Sequence, residues 1–308
     1  MDFLEELKTL KEQVLFRERF TIDPEEYDNI VISGMGGSGI VGNIFSELYT
    51  KKPVIVVSDY DIPEFANDRT LFIGISYSGN TEETLSTLKQ AEEAGCHIVG
   101  ITSGGKLSKT NHGIIKIPTG LQPRSSLGYM LMPLINSLLP VSDEERISTS
   151  QLLAKIDSDN AQLKTLAEEI GRKQQIPVVL GFSPFKWVAY RWKTQFNENS
   201  KILAFSNFFP ELNHNETMPY KGTYRKDIFR FIVIGNPDNE QIKKRIEITG
   251  NITGTGFTYL PDEGQSTFEK LFALIHKGDY LTYHLAHYLN VDPTDVSLIE
   301  ELKRKLGS

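Results

Sequence analysis

Three times in the first 105 residues a short run of aliphatic and β-branched residues stops at a cluster of glycines and hydroxyl-bearing residues. Asn29-Ile30-Val31-Ile32-Ser33 leads into Gly34-Met35-Gly36-Gly37-Ser38-Gly39. Residues 71–75 lead into Ser76-Tyr77-Ser78-Gly79-Asn80-Thr81, and residues 97–101 into Thr102-Ser103-Gly104-Gly105. Two further strand-like runs lie at 54–57 and 114–117, and helix-period segments at 40–48, 82–94 and 127–139 fill the intervals. This alternation predicts an α/β fold, a doubly wound parallel sheet with helices on both faces. In an open parallel sheet the ligand crevice lies beyond the C-terminal strand ends. The three loops are therefore expected to converge there.

The same logic returns in the second half. A helix is predicted over 152–172, then a strand over 176–181 ending in glycine, a helix over 187–196, strands at 229–234 and 257–260, and helices at 241–249 and 268–289. Residues 2–19 carry apolar side chains at helical spacing, which predicts a leading helix. At roughly 100–200 residues per domain, 308 residues favour two domains. We expect two doubly wound subdomains, 1–145 and 146–308, with the apolar-poor stretch VSDEERISTS at 141–150 as linker.

Composition removes several classes of function. With 39% apolar and 24% charged residues the chain can pack cores, which argues against long disorder. A net charge of −7 gives nothing to counterion release, so no nucleic-acid partner is expected. The basic cluster Lys303-Arg304-Lys305 sits beside Glu300-Glu301 and reads as a solvated helix end. Cys96 is the single cysteine, so no intramolecular disulfide is possible. The N-terminus carries acids where a secretory signal carries bases, and the apolar stretch 129–141 is broken by Pro133 and Asn136 and too short to span a bilayer. The expectation is a cytoplasmic protein with no membrane partner.

The glycine loop opens a helix and formally satisfies GxGxxG, with Asp59 about twenty residues on, so a dinucleotide reading stays open on this loop alone. A tight strand-to-helix turn would also need glycine. In every case backbone N–H groups at a helix N-terminus favour anions. The second loop shifts the balance, because Ser76, Ser78 and Thr81 crowd three hydroxyls at a helix mouth, which suits a terminal monophosphate. Capping by Asn80 with Glu83 in a capping box would account for one polar group and leave the others over. A Walker-type loop would need a lysine that this segment lacks.

GMGGSG, SYSGNTEET and ITSGGKL, in that order, resemble the sugar isomerase (SIS) domain. Together with Pro123-Arg124, the segment Phe196-Asn197-Glu198-Asn199-Ser200-Lys201 and the segment Pro210-Glu211-Leu212-Asn213-His214-Asn215-Glu216, the chain resembles the bifunctional phosphoglucose/phosphomannose isomerase family over nearly its whole length. The resemblance implies two SIS-type subdomains, and a homodimer with sites at domain and subunit interfaces. It implies an aldose–ketose isomerase that links glucose 6-phosphate and mannose 6-phosphate to fructose 6-phosphate through a cis-enediol, with no cofactor and no metal. By the same resemblance Glu198 is the base, and His214, reaching in from the neighbouring subunit, assists ring opening. Arg124 lies beside the reacting carbons and Lys303 near the ring oxygen or hydroxyls, while Gly36, Gly37, Ser38, Ser76, Ser78 and Thr81 hold the phosphate. Two departures stand near these positions: Thr217-Met218-Pro219-Tyr220 replaces the family's aliphatic-Val-Gly-Trp run, and Asp295 stands where proline is usual.

Set apart from the resemblance, a Glu in NEN reads as a solvated helix residue, an Arg after proline as surface, and His214 as polar loop. His284 and His287 share a helix face with no acidic residue to complete a ligand set, so they are expected to be structural. The alternative function is a non-catalytic sugar-phosphate-binding module. Regulators of that kind usually carry a helix-turn-helix segment, for which the leading twenty or so residues are too short and wrongly charged.

Overall fold

In a computed structural model residues 2–222 and 224–306 are described, and the chain divides into two compact units between Ser150 and Gln151. The first opens with α1 (Phe3–Lys8) and α2 (Leu10–Gln13). It continues through β1 (Asn29–Ser33), α3 (Gly36–Leu48), β2 (Val54–Val57), β3 (Thr70–Ile75), α4 (Glu82–Glu93), β4 (His97–Thr102), β5 (Gly113–Lys116) and α5 (Leu127–Leu138). All five strands are parallel, in the order β2-β1-β3-β4-β5. This is the doubly wound order in which the winding reverses between β1 and β3. Every residue of β3 is buried, as a central parallel strand covered on both faces requires. On one face Phe72 packs with Val31, Leu88, Ala91 and Ile98, and each of these but Ala91 contributes about 1.5–3 kcal/mol by leaving water.

The boundary falls inside α6 (Asp143–Ser158), a few residues past the position expected from sequence. The expected linker is therefore mostly helix. Its polar composition is that of a helix start: the Ser142 hydroxyl accepts from the Glu145 N–H at 3.1 Å, and Asp143, Glu144 and Glu145 fill the first turn.

The second unit holds α7 (Ala161–Arg172), β6 (Ile176–Gly181), α8 (Lys186–Glu198), β7 (Phe205–Phe208), β8 (Phe229–Ile234), α9 (Glu240–Thr253), β9 (Thr258–Leu260), α10 (Thr267–Tyr288) and α11 (Ser297–Leu306). Its four strands are parallel in the order β7-β6-β8-β9, which repeats the first sheet without a fifth strand. The long α10 is the spine of this unit. The Trp192 indole N–H donates to the Leu274 carbonyl at 2.9 Å, and buried Arg191 pairs bidentately with Asp279 at 2.7 and 3.2 Å. Gln195 donates to the same carboxylate at 2.7 Å, so α8 is fixed along its length.

Three elements differ from expectation. The leading helix breaks at Thr9, whose hydroxyl donates to the Glu6 carbonyl at 2.6 Å, and stops at Gln13. The helix expected over 152–172 is α6 and α7, parted where the Asn160 amide donates to the Ile156 and Asp157 carbonyls at 3.1 Å. Strand β7 was absent from the sequence reading. No helix among the described residues is long and apolar enough to cross a membrane.

Candidate active site

In the first unit the three loops converge as the strand order demands. The Tyr77 N–H donates to the Ser38 hydroxyl at 3.3 Å, which joins the glycine loop to the hydroxyl loop. The Ser103 N–H and hydroxyl both donate to the Tyr77 carbonyl, at 3.0 and 2.6 Å, and the Leu107 N–H donates to the Gly79 carbonyl at 2.9 Å. Gly79, at φ +68°, lies so close to the third loop that a Cβ would sit 1.9 Å from the Gly104 carbonyl oxygen. Only glycine fits this contact.

Two of the hydroxyls pair with each other, and none caps α3 or α4. Ser76 Oγ lies 2.8 Å from Thr81 Oγ1 and accepts from the Gly79 N–H at 3.0 Å, while Ser78 Oγ accepts from the Asn80 N–H at 3.2 Å. The N-cap residue of α4 is Thr81, which makes no side-chain cap, and Met35 precedes α3 with none to offer. The Asn80–Glu83 capping box, the rival reading of this loop, does not form: the Asn80 side-chain oxygen accepts from the Lys106 N–H at 3.0 Å. Two helix N-termini thus open onto the crevice beyond β1 and β3, uncapped and lined by hydroxyls. This is an anion cradle by chemistry.

Arg124 belongs to the same cluster. It rides a 3₁₀ turn, Pro123–Ser125, and is buried at 4% exposure. A Cβ on Gly37 would stand 3.3 Å from the Arg124 backbone, so the turn lies directly on the glycine loop. The Tyr77 phenol oxygen accepts from the Leu121 N–H at 3.0 Å and ties the hydroxyl loop to the segment leading into Arg124. Burial pushes the Tyr77 phenol up against the lowering effect of that N–H, and the Glu6 charge adds to the rise. The first unit therefore brings together Gly36, Gly37, Ser38, Ser76, Ser78, Thr81 and Arg124. Asp59, the acid of the dinucleotide reading, is exposed and accepts from the Tyr60 N–H at 2.7 Å.

Glu198, His214 and Lys303 lie in the second unit. Glu198 ends α8 and lines a cleft of about 220 Å³ with Asn197, Lys201 and residues 295–299. Its neighbours in FNENSK are scaffold. Asn197 donates to the Ile202 carbonyl at 2.8 Å, Asn199 to Thr282 Oγ1 at 3.0 Å and Ser200 to the Thr282 carbonyl at 2.7 Å. Lys201 donates to the Glu198 and Asp295 carbonyls, so the departure at 295 contributes its backbone here. In the second motif Leu212 is buried and Asn213 donates to Thr249 Oγ1 at 2.8 Å, while His214 is exposed at the end of the turn Glu211–His214. Lys303 is exposed on α11.

Of the other departure, the Tyr220 ring lies tilted against Phe231 with centroids 5.5 Å apart and lines a cavity of about 330 Å³ with Phe205 and Phe229. Burial pushes its phenol up to about 12, with Glu216 adding. His284 pairs with the Asn160 side-chain oxygen at 2.7 Å, and burial lowers its basicity. Among the described residues no group of three or more His, Cys, Asp or Glu is placed to hold a metal ion. Two site-forming residues escaped the sequence reading: Glu6 and Gln13, whose side chains bond the Arg124 turn from α1 and α2. Their signal was present, since helical spacing puts both on the apolar stripe of Phe3, Leu7, Leu10 and Val14.

A parallel sheet of this order with helix N-termini open at its switch point is a doubly wound α/β fold suited to an anionic ligand, the class to which SIS domains belong. Residues 25–136 match the SIS domain model, and residues 159–306 match the bacterial phospho-glucose isomerase C-terminal SIS domain. The bifunctional phosphoglucose/phosphomannose isomerase of Thermoplasma volcanium is 55% identical over 307 residues, covering 100% of both chains. That of Caldicellulosiruptor bescii is 37% identical over 93% of this chain and 91% of its own. The chain belongs to the bifunctional phosphoglucose/phosphomannose isomerase family. Its fold is also that of the C-terminal domain of glucosamine-fructose-6-phosphate aminotransferase from Francisella tularensis, with a TM-score of 0.68, 16% identity and 94% of each chain covered.

Proposed function

We propose that this chain interconverts glucose 6-phosphate and mannose 6-phosphate with fructose 6-phosphate by moving a proton between C1 and C2 of the opened sugar. The phosphate is taken by the N–H groups around Gly36 and Gly37 and by the hydroxyls of Ser38, Ser76, Ser78 and Thr81. Glu198 accepts the C2 proton of the open-chain aldose and returns it to C1. The enediolate that forms between these steps is planar at both carbons, so one base serves both C2 epimers. Arg124, permanently cationic, stabilises the developing oxyanion. His214, from the partner of a homodimer, exchanges a proton with the ring oxygen, for which imidazole is suited near neutral pH, and Lys303 steadies the same end of the sugar. The chemistry calls for no cofactor and no metal, and the setting we propose is cytoplasmic.

What carries the reading is the FNENSK turn. Asn197, Asn199, Ser200 and Lys201 all spend hydrogen bonds fixing the end of α8, and the carboxylate between them faces a cleft. A dimer is favoured by the exposure of Leu203, Phe205 and Met218 around the His214 segment, and by the apolar stripe Leu298, Leu302 and Leu306 on α11. A coupled assay with each 6-phosphate, with and without EDTA, tests the proposal. Turnover of both sugars, unaffected by chelator, is the expected result. Glu198→Gln should lower kcat by at least about 10²-fold while leaving sugar-phosphate binding intact. Retained turnover removes Glu198 as the base, and loss of activity in EDTA overturns metal-free chemistry.

A further inference from the structure

We propose that Glu6 is a positioning residue for catalysis, the buried carboxylate that aims Arg124; the inference rests on the isomerase reading above. Glu6 is 5% exposed, unusual for a carboxylate, and a single one of its oxygens takes two donors. Glu6 Oε2 accepts from the Gln122 N–H at 2.8 Å and from the Ser125 hydroxyl at 2.5 Å. These two donors flank Pro123-Arg124 on either side. A single acceptor thus closes the turn like a pin through a hinge.

Three other contacts act on the same turn. The Phe3 ring, one helical turn before Glu6, lies 5.4 Å from the Arg124 guanidinium carbon. Gln13, fully buried, donates to the Ser125 carbonyl at 2.7 Å and accepts from the Tyr129 N–H at 3.2 Å. From the opposite side the Gly37 backbone limits the turn. Arg124 is therefore set between α1 and the anion cradle, and its height above that cradle is fixed by Glu6. Charge matters here beyond shape. Hydrogen bonds to an ionised acceptor are about twice as strong as neutral ones, and more so when buried. The guanidinium must meet an oxyanion that exists only during reaction, so a misplaced turn costs rate rather than ground-state affinity.

The test compares Glu6→Gln with wild type in the full-length protein, using fructose 6-phosphate, inorganic phosphate and a planar hydroxamate analogue of the enediolate. Because displacements near 1 Å can cost about 10²-fold, kcat is expected to fall roughly 10- to 100-fold. KM and phosphate affinity should change less than about threefold, and hydroxamate affinity should fall in parallel with kcat. In an Arg124→Ala background Glu6→Gln should cost nothing further, since both act through one group. Glu6→Asp should recover part of the rate. Wild-type kcat in Glu6→Gln, a loss of kcat matched by loss of phosphate affinity, or full additivity with Arg124→Ala overturns the proposal. Should Glu6→Gln not fold, Ser125→Ala removes one of the two donors and should lower kcat by several fold, about three to ten; an unchanged kcat there also overturns it. Absence of turnover in wild type with either sugar would instead overturn the isomerase reading itself.

Discussion

Both sheets reverse their winding between two adjacent strands, β1 and β3 in the first unit, β6 and β8 in the second. Beyond β1 and β3 stand glycines, hydroxyls and two helix starts without caps. Beyond β6 and β8 the corresponding space is filled from within. Phe182 and Phe185 are buried there, and a Cβ on Gly235 would lie 3.2 Å from both rings. The Asp262 carboxylate, only 5% exposed, accepts from the Asn236 N–H at 2.7 Å, whereas no side chain caps the helix starts at the first crevice. Asn239 caps α9 by accepting from the Gln241 and Ile242 N–H groups. One topology thus leaves two helix starts uncapped in one unit and satisfies the corresponding groups from within in the other. The difference lies wholly in loop residues, which is why fold alone does not locate function.

That contrast can be broken at several points. The largest effect is expected from Gly79→Ala, which drives a Cβ into the Gly104 carbonyl at a positive φ. It should destabilise the protein by about 3 kcal/mol or more, read by urea denaturation, and abolish protection by phosphate. Next comes Ser76→Ala. If its hydroxyl binds the anion, affinity for inorganic phosphate in calorimetry should weaken roughly 10- to 100-fold, as for loss of a hydrogen bond to a charged group. Asp262→Asn is its mirror. It should cost about 1–3 kcal/mol of stability and leave phosphate affinity unchanged, whereas a second phosphate bound would show the two crevices to be alike. The smallest effect belongs to Tyr220, whose phenol is raised from 10 to about 12 on folding. A raised acid contributes stability that is whole below pH 10 and is lost as pH climbs toward 12, because the unfolded chain releases the proton first. Tyr220→Phe should therefore melt with a shallower alkaline decline across that window, and an identical decline would remove the linkage.

Much of this was legible in the residues. Strands 29–33, 54–57, 176–181 and 229–234 coincide with the apolar, β-branched runs, most clearly in β1 and β6, which are buried on both faces over nearly their whole length. Strand β7 was not legible, since Phe-Ser-Asn-Phe pairs on one side only and leaves both aromatics exposed, so burial imprinted no pattern on it. The loops that hold Ser38 and Ser76 could be found from local chemistry. Glu6 and Gln13 are marked only by their place on the apolar stripe of the leading helix; the partners they take lie 112 to 119 residues away, and a single sequence carries no sign of that contact. Asn80 shows the same limit: a local cap is open to its side chain, and the tertiary donor it takes instead, the Lys106 N–H, is not marked in the sequence.

Thr81 turns its hydroxyl toward Ser76 instead of closing the first turn of α4. Until an anion arrives, that helix begins with donors that only solvent can serve. Under the proposed function the bound phosphate completes the helix that holds it, so folding and occupancy share one free energy. At a hundredfold excess over its dissociation constant a ligand adds about 2.7 kcal/mol to stability. Cells rich in sugar phosphate would hold a tougher enzyme than starved ones, and amide exchange at residues 82–84 would slow as the pool fills.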